Sequence, residues 1–178
     1  MPRTLIAEEF NGGKLGKVAG FDCGHESWSQ YAANWIQAPA GKPGAIQSIA
    51  DRGTQVFLYF DEDSDQLVGF GSLGETKWPN FPDRVTLIPQ LAIQLAFHGQ
   101  PQGIGETKFS HQLLDDLIAR AITRPPRHLV LTVDPGNDKA RRLYLDFQFT
   151  ELTDRSPRGH IKMALLLPEP LPIPAVGS

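Results

Sequence analysis

Cysteine is almost absent from this sequence, which has one thiol, Cys23, in 178 residues. A single cysteine excludes an intramolecular disulfide framework and every zinc site that needs several thiolates. No apolar run approaches the roughly 18 residues that a membrane-spanning helix requires. The opening MPRTLIAEEF also lacks the basic and apolar segments of a secretory signal peptide. We therefore expect a cytoplasmic protein that does not engage membranes.

Positive charge is in short supply as well, because 17 Lys and Arg residues stand against 20 Asp and Glu, a formal net charge of −3. This balance argues against a surface built for bulk nucleic-acid binding. It is compatible only with a local basic surface, which would be formed by Arg141, Arg142, Arg155 and Arg158. The length suggests one domain with a sizeable core. We predict a single domain over 1–167 and a proline-rich tail over 168–178, which holds four prolines.

The hydrophobic pattern predicts strands and helices in mixed order. The acidic DEDSD between the first two strands predicts an antiparallel hairpin. Pro89 lies inside an apolar run, and because proline cannot donate to a ladder it should mark an edge, a bulge or a point where strands part. The predicted strands cover 54–60, 66–73, 85–93, 128–133 and 160–167, and the predicted helices cover 25–37, 109–121 and 137–147. This order indicates an α/β layered domain with a mixed sheet.

A glycine-rich segment, HGQPQGIG at 98–105, joins the strand at 85–93 to the helix at 109–121. Backbone N–H groups of such a turn, together with the dipole of the following helix, favour phosphate binding. The segment lacks the Gly-Lys-Ser/Thr ending of a P-loop, and it fails the Rossmann spacing because residue 108 is not glycine. Alone, the segment is equally typical of a flexible surface loop.

A second motif, NDKARRLY at 137–144, is followed by LDFQF. Asn137 is a typical helix N-cap residue, and Ala140, Leu143 and Tyr144 share one side of the helix that it begins. Together with the glycine loop, this motif resembles the GNAT superfamily of N-acetyltransferases, whose second motif reads N-x-x-A-x-x-L-Y. The resemblance implies a mixed, mostly antiparallel sheet with splayed central strands and helices on both faces. It also implies acetyl-CoA as cosubstrate, with no metal.

The glycine loop fits the family's pyrophosphate motif in two registers. Gln100-Pro101-Gln102-Gly103-Ile104-Gly105 matches the consensus Gln/Arg-x-x-Gly-x-Gly/Ala literally. The other register places His98-Gly99 at the motif and makes 99–108 an enlarged loop, which keeps the apolar face of the helix in phase. We favour this second register, which predicts that the helix begins near Phe109. In both registers the anion-binding amides lie between Gly99 and Ser110.

The resemblance also assigns roles to individual residues. Leu91 and Ile93 are expected to present backbone groups to the pantetheine arm, and Asn137 to contact that arm besides capping its helix. Tyr144 is the expected general acid for the departing thiolate, with plain core packing as the alternative. The residues expected at the phosphates are His98, Gly99, Gln100, Gly103, Gly105 and Ser110.

The general base and the acceptor are less defined. Glu75, at the end of the second hairpin strand, is the best-placed base, although a solvated strand end is the simpler interpretation. Phe21-Asp22-Cys23-Gly24 resembles the opening of GNAT toxins that acetylate aminoacyl-tRNA, with Asp22 as an N-cap or turn residue and Cys23 as a small buried hydrophobe. The acceptor is therefore an amine-bearing small molecule, a peptide or aminoacyl-tRNA. A module that binds acyl-CoA or a partner without turnover stays open, as does a homodimer.

Overall fold

The hydrophobic runs of the sequence form one sheet in this computed structural model, which describes residues 4–99, 107–123 and 125–169. The described strands are β1 (Leu5–Glu9), β2 (Gln55–Asp61), β3 (Leu67–Lys77), β4 (Arg84–Leu87), β5 (Leu91–Ile93), β6 (His128–Val133), β7 (Thr150–Arg155) and β8 (Ile161–Leu166). The described helices are α1 (Leu15–Val18), α2 (Ser27–Gln37), α3 (Ala45–Arg52), α4 (Phe109–Ile122) and α5 (Asp138–Asp146).

The sheet is mixed and mostly antiparallel. Its strands run in the order β1-β2-β3-β4-β6-β8-β7, and β5 pairs with β3 beside that path. Only β4 and β6 pair in parallel within the described sheet. The predicted hairpin of β2 and β3 and the predicted mixed sheet are thereby confirmed.

Helices cover both faces of the sheet. On one face, α1, α2 and α3 pack on a cluster around Phe70, whose ring stacks on Trp35 with centroids 5.9 Å apart. On the other face, α4 and α5 contribute to the larger core. There α4 approaches β3 closely, because a Cβ at Gly71 would lie 2.6 Å from Cδ1 of Leu117. The helix layers predicted from the resemblance are present.

Several elements differ from the sequence-based predictions. The strand predicted over 85–93 is two strands, β4 and β5, separated around Pro89. Strands β1 and β7 and helices α1 and α3 were not predicted, because each is short or largely polar; β7 reads TELTDR. The predicted tail falls mostly on 170–178, outside the described residues, so its extended form stays a prediction. No helix in the described ranges has the length and apolar character to cross a membrane.

Candidate active site

A cleft opens in the middle of the sheet where two parallel strands part. β4 pairs with β6 at Thr86–Leu129 and Leu87–Val130, and Ile88 N–H donates to Val130 C=O at 2.9 Å. After that bond, the chain turns away at Pro89 and continues as β5, which pairs with β3. No described strand pairs with the edge of β6 that faces β5 beyond Val130. The interpretation of Pro89 as a point where strands part is confirmed.

Ser72 of β3 holds the bulge at Pro89 in place. Its hydroxyl accepts a hydrogen bond from Gln90 N–H at 3.0 Å and lies 3.1 Å from Gln90 C=O, which also accepts from Ser72 N–H. The side chain of Ser72 is fully buried. Sequence reasoning missed this residue, although a serine inside the apolar run QLVGFGSL is a signal that could have found it, since a buried hydroxyl needs a partner.

The backbone of β5 is oriented so that alternate residues face the cleft. Gln90 C=O and Gln94 N–H bond to Ser72 and Val68 of β3, so residues 90, 92 and 94 use their backbone groups within the sheet. Because the direction of backbone groups alternates along a strand, Leu91 and Ile93 direct theirs away from β3, toward β6. The two residues expected to meet the pantetheine arm thus offer backbone groups to the cleft.

His98 follows this strand after a single 3-10 turn, Leu95–Phe97, and its side chain bonds back to one of those backbone groups. Its Nε2 is 2.8 Å from Ile93 C=O, and because a carbonyl only accepts, the ring nitrogen donates. The next residue, Gly99, has a φ of +66°, the left-handed conformation that glycine adopts readily. Gln100, Gly103 and Gly105 lie outside the described residues, so their phosphate contacts stay predictions.

The first turn of α4 follows the glycine loop. Lys108 is extended, with φ −59° and ψ 148°, and the helix begins at Phe109. This start confirms the helix boundary that the enlarged-loop register predicts. Ser110 is the second residue of the helix, and its hydroxyl lies 3.5 Å from Nδ1 of His111. Leu113 and Leu117 are fully buried, as the apolar face requires.

Two residues of the second motif, Asn137 and Tyr144, have predicted roles at the site; Asn137 is the N-cap of α5 and Tyr144 lies within the helix. Asn137 Oδ1 accepts from Ala140 N–H at 3.1 Å, so the predicted N-cap is confirmed. Tyr144 is 7% exposed and its ring packs on Phe149. No hydrogen bond to its hydroxyl comes from the described part of the chain. Burial raises the pKa of Tyr144 to about 12, so the phenol keeps its proton at neutral pH.

The start of α2 lies near the loop that leads into α5. The pKa of Glu26 is lowered, first by a hydrogen bond from its own backbone N–H and further by Ser29, Lys139 and His98. Glu26 therefore lies near both the first turn of α5 and the end of β5. The ring of Trp28 packs against this loop, because a Cβ at Gly136 would lie 3.3 Å from it.

The FDCG segment is tied to the same place by its backbone. Asp22 C=O accepts from Leu95 N–H at 2.7 Å, just after β5, and Asp22 Oδ1 accepts from Gly24 N–H at 2.9 Å. Cys23 is buried, and burial raises the pKa of its thiol to about 11. The predictions of a turn at Asp22 and of a buried Cys23 are confirmed.

Glu75 lies apart from this cluster. It is opposite Thr86 on β4, before the strands part, and its carboxylate pairs with Nε of Arg84 at 3.2 Å. About half of the Glu75 side chain is exposed, and no contact within the described ranges joins it to Tyr144 or to β5. A role as general base stays a prediction.

Solved structures resemble the whole described fold, whereas no protein-family model and no curated protein matches the sequence. A bacterial toxin aligns with a TM-score of 0.66 at 16% identity, over 94% of this chain and 92% of the toxin. An N-acetyltransferase from Staphylococcus aureus Mu50 aligns at 0.63 and 17% identity, over 93% and 99%. AtaTR bound with acetyl-CoA aligns at 0.63 and 14% identity, over 91% and 92%.

These similarities define the class of fold. The neighbours include N-acetyltransferases and toxins of the GNAT type, and the chain has the GNAT fold. At such identities the likeness establishes the fold alone.

Proposed function

We propose that this protein is an acetyl-CoA-dependent N-acetyltransferase that transfers the acetyl group directly to an amine in a ternary complex. The observation that carries this proposal is the cleft between β5 and β6. One side of the cleft is the backbone edge of β5 that pairs with no described strand. The other side is β6, which is followed along the chain by α5, the helix that bears Tyr144. A pantetheine arm has amide groups that can extend such an edge as another strand would. AtaTR, which has the same fold, has been solved with acetyl-CoA bound.

The residues of the cleft have distinct parts in this proposal. Backbone groups of Leu91 and Ile93 hold the pantetheine arm, with Ile93 C=O shared with His98, and Asn137 contacts the arm from α5. The pyrophosphate binds to amides between Gly99 and Ser110, at the start of α4. There the helix dipole adds partial positive charge.

The transfer step needs one proton donor and one proton acceptor. The neutral amine nitrogen attacks the carbonyl carbon of the thioester, a C–N bond forms, and the C–S bond breaks with its electron pair on sulfur. Tyr144 gives its phenol proton to that thiolate, and Glu75 or water takes the proton that the amine loses. A free thiol has a pKa of about 8.5. Burial raises the pKa of a thiol as it does that of a phenol, so the pKa of a thiol held in the cleft lies closer to that of Tyr144 than the pKa of a free thiol does.

Among acceptors, aminoacyl-tRNA is favoured by one specific observation. The FDCG segment is bonded to the end of β5, beside the cleft, and a bacterial toxin has the same fold. Against it, Arg141 is already paired with Glu151, and the chain carries a net charge of −3. Small amines and peptide N-termini are the other acceptors of the proposal. A non-catalytic acyl-CoA-binding module is its main rival.

Two measurements test the proposal. Acetyl-CoA at 100 times its dissociation constant should stabilise the fold by roughly 2.7 kcal/mol in a thermal-shift or denaturation experiment. Labelled acetyl-CoA, offered with aminoacyl-tRNA, with peptides and with small amines in parallel, should label one class of acceptor. Absence of any stabilisation at millimolar acetyl-CoA would contradict the proposal, and binding without label transfer would favour the non-catalytic module.

A further inference from the structure

The outer edge of β1 is an open strand edge. β1 pairs with β2 and with no other described strand. Phe10 N–H donates to Val56 C=O at 2.8 Å, and Glu62 N–H donates to Thr4 C=O at 3.0 Å, so even-numbered residues of this strand bond to β2. The backbone groups of Leu5, Ala7 and Glu9 therefore point away from the sheet, where another strand can bond to them.

The opposite edge of the sheet, at β7, is built differently. Its ladder with β8 is registered at Thr150, Glu151 and Arg155, with an irregularity between Glu151 and Arg155. Bulges and irregular pairing twist an edge and oppose the addition of a further strand. By contrast, β1 keeps a continuous register over all its residues, from Leu5 to Glu9. Of the two edges, β1 is the one suited to strand addition.

A groove of about 350 Å³ runs between β1 and α4. Leu5 and Ala7 line its strand side, and Arg120 of α4 lies on the other side. Nε of Arg120 donates to Asp116 at 2.6 Å, and its guanidinium lies 4.2 Å from the centroid of the Phe57 ring. These contacts fix a partly exposed cation beside the open edge. A guanidinium has five N–H donors, so the bond to Asp116 leaves others for a second acceptor.

We propose that a second copy of this chain adds its own β1 to this edge, antiparallel about a two-fold axis at Ala7. In this register Ala7 faces Ala7 of the partner subunit, and Leu5 faces Glu9 of the partner subunit. Side chains alternate between the two faces of a strand, so Glu9 shares the groove side with Leu5. The partner subunit's Glu9 thus reaches the groove that holds Arg120, and the two-fold axis forms this contact twice.

The other face of β1 is also compatible with this pairing. Glu8 is the second acidic residue of the strand, and Lys14 and Lys17 neutralise it at 2.7 and 3.0 Å. The Glu8 carboxylate therefore adds no uncompensated charge on this face of the paired strands. Ile6, an exposed large apolar side chain at 46% exposure, lies on that face and becomes covered in the dimer.

The mass of the protein in solution tests this inference without reference to catalysis. Light scattering over a concentration series should give twice the 19.6 kDa mass of the chain. Ala7→Pro removes an N–H that points outward, so it should yield monomers and keep the β1–β2 ladder. Glu9→Lys should weaken the dimer at least about tenfold, because both symmetric contacts with Arg120 become repulsive.

A matched control is Glu62→Lys, which makes the same charge change at an exposed position beyond the end of β2 and should leave the dimer intact. Circular dichroism checks that each variant is folded, and Glu9→Lys decides the question if Ala7→Pro does not fold. A monomer at every concentration overturns the proposal. A dimer that survives Glu9→Lys, or one that Glu62→Lys weakens equally, also overturns it.

Discussion

The two sides of the cleft are built in contrasting ways. β6 pairs with β8 at all six of its positions. β5 has three residues, which pair with β3, and Ser72 and His98 fix the chain at its two ends. A long ladder distributes the effect of a substitution, whereas a short strand depends on a few individual bonds. We therefore expect substitutions at β5 to change acetyl-CoA binding, and substitutions on the α5 side to change the chemical step.

The largest expected effect comes from Tyr144→Phe on the α5 side. The substitution keeps the ring that packs on Phe149 and removes the proton donor. Turnover should fall by about 10²–10⁴-fold with acetyl-CoA affinity nearly unchanged. Turnover is measured by steady-state kinetics with an accepted amine, or by slow acetyl-CoA hydrolysis. Acetyl-CoA affinity is measured by calorimetry.

Tyr59→Phe is the matched control for that experiment. Tyr59 is also buried, and its hydroxyl donates to Asp116 at 2.7 Å, away from the cleft. Its loss should lower stability by about 1.5–3 kcal/mol, the usual contribution of a hydrogen bond to a charged group, and leave turnover unchanged. Equal turnover for wild type and Tyr144→Phe would assign Tyr144 to core packing alone.

Ser72→Ala should have the next largest effect, on the β5 side. Without the hydroxyl, Gln90 N–H loses its acceptor next to the bulge, at a cost of about 1–3 kcal/mol in unfolding free energy. Acetyl-CoA affinity should fall as β5 loses its fixed position, while turnover at saturation changes little. Thr86→Val is the control, since Thr86 is equally buried on β4 and its hydroxyl makes only a 3.5 Å contact. Equal losses of affinity in both variants would refute a special role for the bulge.

His98→Ala should have a smaller effect on the same side. It removes the donor to Ile93 C=O, and the loss of about 0.5–1.5 kcal/mol corresponds to at most about tenfold in acetyl-CoA affinity. His98→Gln places a side-chain N–H at a similar reach and should restore most of the affinity. Titration calorimetry with acetyl-CoA measures the affinities of wild type, His98→Ala and His98→Gln. A failed rescue by His98→Gln would indicate that the imidazole ring contacts the ligand itself.

The smallest expected effect is a pH dependence of stability on the α5 side. Burial raises the pKa of Tyr144 to about 12, above the value near 10 of an unfolded tyrosine. The folded state then holds its proton more tightly, so the contribution is complete below pH 10 and is lost as pH rises toward 12. Denaturation at pH 9 to 11 should show a shallower decline for Tyr144→Phe than for wild type. Identical slopes would mean that Tyr144 is not shielded from water.

Much of the fold is readable from local patterns. The spacing of Leu113 and Leu117 predicts α4, and Asn137 marks the start of α5, because both signals lie within a few residues along the chain. Pro89 predicts an edge, a bulge or a point where strands part, since a missing N–H is a local property. Strand β7 escapes prediction because it lies at an edge and reads TELTDR, with few apolar residues.

The candidate site is less readable, since it depends on contacts between distant residues. The bond between Ser72 and Gln90 spans 18 positions, and the proximity of Glu26 to Lys139 spans over a hundred. His98 is expected at the phosphates by its place in the motif, whereas its bond to Ile93 appears only once β5 has formed. No local pattern encodes such pairings, because the sheet brings them together.

Hydrogen exchange of the β5 amides tests the central claim most directly. Leu91 and Ile93 N–H face the cleft, whereas Ala92 N–H faces β3, so the three adjacent amides report on two environments. On addition of acetyl-CoA, exchange at Leu91 and Ile93 should slow markedly and more than at Ala92, as observed by NMR. Unchanged exchange at Leu91 and Ile93 in the presence of bound acetyl-CoA would contradict the proposed site.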